Sequence, residues 1–185
     1  MDREYVVLSL ILLSLITVSA CTSSSGHQVA VSGNIVTGQS SFGIEKGQFP
    51  PDFTIKTIDG KELKLSQFRN DRPILLYFWA TWCPFCRQDF TVVREIYPKY
   101  ADKVAFLAID LDISENSEII KQYKDKMKLE GIDFAEGDAN ILSNYQITHT
   151  TTKYAIAKNG AILYKGSGVF NEQQWEILFN GLVNS

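Results

Sequence analysis

Leu75-Leu76-Tyr77-Phe78-Trp79-Ala80-Thr81-Trp82-Cys83-Pro84-Phe85-Cys86 is an apolar run that ends on two cysteines separated by two positions. An unbroken apolar stretch of this kind reads as a strand buried on both faces. Pro84 marks a helix start, because its missing N–H would have no partner at the first helical position. The two intervening residues bring the thiols within disulfide reach across the first helical turn, and the unpaired amides there favour a thiolate on Cys83. The stretch is therefore read as a redox site whose sulfurs are held in place before a substrate arrives. Half of a zinc site is the competing reading, and it needs two more ligands. The third cysteine, Cys21, lies close to the N-terminus, His27 lies in a polar stretch, and only His149 falls in the globular part.

Outward from this core the chain of 185 residues divides by composition. Residues 1–21 hold an apolar run, Val6 to Val18, too short for a comfortable membrane span, leading to Val18-Ser19-Ala20-Cys21. This resembles a lipoprotein signal whose cleavage would leave Cys21 as the lipidated residue, although Met1-Asp2-Arg3-Glu4 lacks the usual net positive charge. An uncleaved N-terminal anchor is the alternative. Both place the remainder on the outer face of the cytoplasmic membrane, where disulfides persist. Residues 22–44, rich in Ser, Gly, Thr, Gln and Val, read as a flexible tether. Residues 45–185 have globular composition and suffice for one domain with a proper core.

The net charge of −3, with Lys and Arg mixed among Asp and Glu, excludes a nucleic-acid footprint. The lysines between 121 and 128 fit the solvated face of an amphipathic helix with Ile119, Ile120, Tyr123 and Met127 as its apolar positions.

Periodicity and turn residues give the order of elements. Phe53–Ile58 and Lys61–Leu65 alternate around Asp59-Gly60 as a hairpin. The buried strand 74–79 is followed by a helix from Cys83 to about Tyr100, its end shortened by Pro98, then a second buried strand over 104–111. A helix over 117–129, a short extended segment at 132–135 and a brief helix at 140–145 follow. A hairpin of 153–157 and 162–165 across Asn159-Gly160 and an amphipathic helix over 172–182 close the chain. This predicts an α/β fold with a central mixed sheet flanked by helices.

Phe49-Pro50-Pro51-Asp52-Phe53, Asp59-Gly60-Lys61, Leu65-Ser66-Gln67-Phe68 and Trp79-Ala80-Thr81-Trp82-Cys83-Pro84-Phe85-Cys86-Arg87 together resemble the TlpA/ResA-like branch of the thioredoxin superfamily. The resemblance implies a thioredoxin-like fold with an added N-terminal β-hairpin and a central insertion at about 112–139. It implies an extracytoplasmic thiol-disulfide oxidoreductase acting on protein thiols and disulfides, served by a membrane redox donor, often in cytochrome c maturation. It calls for no cofactor beyond the redox-active Cys83–Cys86 pair, with Cys83 attacking and Cys86 resolving.

Three positions depart from the family pattern. Tyr77 stands where a thioredoxin carries a buried strand carboxylate. Asp89, three residues after Cys86, matches a site where this branch usually has glutamate; there a carboxylate can accept the Cys86 proton and raise the cysteine pKa values, or serve only as an acid near a helix start. Thr151 aligns with the family's cis-proline, so the substrate-binding edge carries an added N–H and a hydroxyl expected to face the sulfurs. His149 with Cys83 and Cys86 suggests a soft-metal site, against the simpler reading of an exposed loop histidine. Trp82, Pro84 and Phe85 are expected to form the rim that meets a partner, and Trp79 to be core. A copper-binding module and a peroxiredoxin-like peroxidase remain as alternatives, the latter lacking here the proline that precedes a peroxidatic cysteine.

Overall fold

The computed structural model describes residues 41–185; the signal-like segment with Cys21 and nearly all of the tether lie outside them. Thr54–Lys56 (β1) and Glu62–Lys64 (β2) pair antiparallel as a separate two-stranded ribbon. Gly60, at φ +84°, takes the left-handed turn position between them, which a side chain would strain.

The main sheet has five strands in the order β5-β4-β3-β6-β7. Ile74–Trp79 (β3) lies at its centre, parallel to Ala105–Asp110 (β4) and antiparallel to Thr152–Ile156 (β6). Asp133–Ala135 (β5) joins the far edge parallel to β4, and Ile162–Gly166 (β7) closes the other edge antiparallel to β6. The sheet is thus mixed, as expected. The short segment within the predicted insertion is its fifth strand.

Every residue of β3 and β4 is buried, and the two faces sort by sequence parity. Leu75, Tyr77 and Trp79, with Phe106 and Ala108, face three helices: Pro84–Ile96 (α1), Ser117–Met127 (α2) and Glu172–Val183 (α4). Ile74, Leu76 and Phe78, with Leu107 and Ile109, face the ribbon and the short helix Ala139–Asn144 (α3). The alternation explains why β3 reads as one apolar run.

Helix α1 starts where Pro84 predicts, with Cys83 as its N-cap, and its buried residues Cys86, Phe90, Val93 and Ile96 follow helical spacing. It stops at Ile96, and Tyr97–Lys99 continue as a single 3-10 turn around Pro98, because proline cannot extend the ladder. The cysteines thereby sit at the C-terminal edge of the central strand.

Candidate active site

Both cysteines are unpaired thiols in this structure and both are buried, Cys83 retaining 2% exposure and Cys86 none. The Cys86 N–H points at Cys83 Sγ, 3.1 Å away, so a backbone donor at the helix N-terminus stabilises negative charge on the first sulfur. Burial pushes the Cys86 thiol up to about 12, reinforced by its contact with Cys83 and opposed by the Tyr77 hydroxyl. The two sulfurs are therefore unlike: the first has a backbone donor and the second is held as a thiol by its burial.

Around the pair the surface is apolar. Trp82 is 61% exposed and Phe85 56%, and Pro84 is exposed between them. The Trp82 indole N–H donates to Asp112 Oδ2 at 2.9 Å, which fixes the ring while leaving its face open. Trp79 is fully buried between Phe90, Tyr123 and Phe134, the core role expected of it.

Asp89 is wholly buried beneath the motif and saturated with donors. Its Oδ2 accepts from Tyr77 Oη and Lys153 Nζ, both at 2.9 Å. Its Oδ1 accepts from the Phe170 N–H at 2.8 Å and the Trp175 indole N–H at 3.2 Å. The Tyr77 hydroxyl also faces the Cys86 thiol, and burial together with the charge of Asp89 raises the phenol well above its ordinary range. Tyr77 therefore stands between the Cys86 thiol and the Asp89 carboxylate, its hydroxyl able both to donate and to accept.

Lys153 is the residue that sequence reasoning missed. It lies opposite Tyr77 in the β3–β6 register and is fully buried. Its three N–H groups have three acceptors: Asp89 Oδ2, the Thr151 carbonyl at 3.0 Å and the Gly168 carbonyl at 2.7 Å. The faces of Tyr77, Phe170 and Trp175 lie 5.0, 4.5 and 5.0 Å from the nitrogen. Burial lowers the lysine pKa, and Asp89 and the two cysteines oppose that shift. The available signal was a lone lysine in an apolar central strand, where a charge requires a buried partner. Its presence changes the reading of Asp89: the carboxylate is half of an ion pair, so its field at the sulfurs is largely cancelled.

Thr151 is 5% exposed, and no cis peptide bond occurs among the described residues. Its φ of +62° is a rare, strained conformation for a β-branched residue. Three contacts hold it there. The hydroxyl donates to the Thr150 carbonyl and accepts the Gly168 N–H at 2.9 Å, while its carbonyl accepts from Lys153. The hydroxyl expected to face the sulfurs is thus engaged with the neighbouring loop. His149 is exposed, with Nδ1 against the Thr148 hydroxyl at 2.7 Å. No cluster of three or more His, Cys, Asp or Glu side chains suited to a metal ion occurs among the described residues.

Residues 47–165 match the model of the AhpC/TSA family. The chain belongs to that family. It is 30% identical over 135 residues to the thioredoxin-like protein YneN of Bacillus subtilis, covering 72% of this chain and 78% of that one. It is 28% identical over 136 residues to the thiol-disulfide oxidoreductase ResA of Bacillus thuringiensis, covering 72% and 76%. The fold matches a thioredoxin-family thiol:disulfide interchange protein of Chlorobium tepidum with a TM-score of 0.66 at 18% identity, over 73% of this chain and 95% of that one. The chain is a thioredoxin-like thiol-disulfide oxidoreductase.

Proposed function

We propose that the protein reduces or exchanges disulfides in protein substrates on the outer face of the cytoplasmic membrane, with cytochrome c maturation as the process it serves. Its thiols are re-reduced by a membrane redox donor, and the chain is tethered through its N-terminus, by a lipidated Cys21 or by an uncleaved helix. The observation that carries the catalytic part is the asymmetry of the pair. Cys83 sits at a helix N-terminus with a backbone donor on its sulfur, whereas Cys86 is buried against Tyr77, whose hydroxyl donates to Asp89.

The Cys83 thiolate attacks one sulfur of the substrate disulfide, forming a mixed disulfide and expelling the other substrate sulfur as a thiolate that takes a proton from solvent. Cys86 then gives its proton toward Asp89 through Tyr77 and attacks Cys83 Sγ. The Cys83–Cys86 disulfide forms and the second substrate thiolate leaves. Trp82, Pro84 and Phe85 supply the apolar surface on which an unfolded or extended segment rests.

The test is substrate capture in the native membrane. Cys86→Ser in the full chain should accumulate disulfide-linked adducts through Cys83, and identification of apocytochrome c among them supports the assigned process. Recovery of the variant free of adducts, with its Cys83 fully reduced, overturns the reading.

A further inference from the structure

Asp110, the last residue of β4, stands beside Trp79 in the β3–β4 register and is fully buried. Its Oδ1 accepts the Asp112 N–H at 2.8 Å. Its Oδ2 receives no hydrogen bond from any donor among the described residues, and the side chain packed against it is another acid, Glu115. Asp112 is the third acidic group acting on it. Among the described residues no lysine or arginine forms an ion pair with Asp110 or Glu115. From β3, Trp79 presents an unpartnered indole N–H on the same face, and Tyr123 of α2 packs tilted against that ring at 4.8 Å with its own hydroxyl unpartnered.

Two apposed carboxyl groups with no cation cannot both be charged at low cost, and a buried carboxylate oxygen without a donor is itself expensive. One proton between them removes both penalties, since a protonated Asp110 Oδ2 donates to Glu115. Glu115 is meanwhile bound to the approach to the active site: it accepts the Thr81 N–H at 3.1 Å and the Thr81 hydroxyl. Thr81 precedes Trp82, whose indole is held by Asp112, and the Cys83 N–H donates to the carbonyl of Ala80 at 3.2 Å. The acidic turn 110–115 therefore holds Thr81 and Trp82, the two residues before Cys83.

We propose that Asp110 carries a proton directed at Glu115 and that the two act as a positioning pair that fixes Thr81, and through it the attacking Cys83, so that loss of this proton releases the clamp. Burial, reinforced by Glu115, pushes Asp110 up to about 8, in keeping with a proton that stays at neutral pH and leaves under mildly alkaline conditions. The proposal rests on Cys83 as the attacking thiol, but its test needs no disulfide substrate and is independent of the physiological function assigned above.

The test follows alkylation of Cys83 by iodoacetamide against pH in the reduced full chain, read by peptide mass so that Cys21 does not interfere. Glu115→Ala should slow the reaction at neutral pH roughly tenfold, the scale of two lost hydrogen bonds. Glu115→Gln should recover part of the loss, because its amide oxygen still accepts one of the two Thr81 hydrogen bonds while its NH2 group takes the place of the other acceptor. Asp110→Asn, which donates without titrating, should lack the alkaline inflection of the parent profile. In parallel, carboxyl carbon NMR of the unaltered protein should show one resonance titrating above about pH 6, beyond the ordinary carboxylate range, and absent from Asp110→Asn. A Glu115→Ala profile superimposable on the parent overturns the clamp. A full set of carboxyl groups titrating below that pH overturns the retained proton on Asp110.

Discussion

Lys153 Nζ lies 2.9 Å from Asp89 Oδ2, and both side chains are sealed from solvent directly beneath the redox pair. One group comes from the strand after the Thr151 loop and the other from the helix carrying Cys86, so the ion pair ties the two halves of the site together. Breaking such a pair from one side strands a buried charge, whereas removing both partners does not.

Asp89→Asn and Lys153→Met should therefore each destabilise the protein by about 3–5 kcal/mol, and the double variant should recover much of that loss. Urea unfolding of the four proteins reads the coupling. The same series tests the expectation for Asp89 that its removal lowers the thiol pKa values by deleting a negative charge. With Lys153 adjacent, Lys153→Met should shift thiol alkylation toward higher pH. A strictly additive set of unfolding energies would show that the two groups do not act as a pair.

Tyr77→Phe deletes the hydroxyl between Cys86 and Asp89 while keeping the ring that packs edge-on against Phe90, Phe106 and Trp175. Attack by Cys83 should proceed as before, while resolution by Cys86 slows by roughly 10²-fold, the lower end of general-base contributions. Single-turnover kinetics with a labelled disulfide peptide should then show a mixed disulfide that builds up and decays slowly. Disappearance of that intermediate at the parent rate would mean that Tyr77 carries no proton.

Cys83→Ser should abolish disulfide reduction outright, because Cys86 is fully buried and faces Tyr77 rather than solvent. Turnover of an insulin-type substrate measures it. Residual reduction at the parent rate would place the attacking thiol elsewhere.

Asp110 gives the stability a defined pH dependence. Its folded pKa, about 8, lies above the ordinary carboxylate value of 3.8. Its contribution is therefore complete below about pH 4 and falls progressively as pH rises toward about 8, since the unfolded chain ionises first. Thermal melts of the parent should decline across this window, and the decline should flatten in Asp110→Asn.

Restoring proline at the family's position is not a simple reversion. Proline fixes φ near −65°, whereas Thr151 sits at +62° and its hydroxyl holds Gly168. Thr151→Pro should lower the melting temperature, and Thr151→Gly, which tolerates positive φ, should lower it less. A stabilised proline variant would show that this loop readily adopts the other geometry.

The sequence alone determined the central strand, the helix start at Pro84, the thiol pair on their junction and the order of nearly all other elements. These rest on local chemistry: a proline without an N–H, a run of apolar residues, a turn at Asp59-Gly60 and a periodic stripe. The apolar rim of Trp82 and Phe85 was legible for the same reason. Tertiary structure alone decided the electrostatics under the sulfurs. Lys153 and Asp89 are 64 positions apart, and Thr81 and Glu115 are 34 apart. Each pair meets only because β3 lies between β4 and β6, with α1 laid across them. A lysine in a strand carries no mark of the carboxylate it will face, because register and helix placement decide that, and burial then fixes what the pair does.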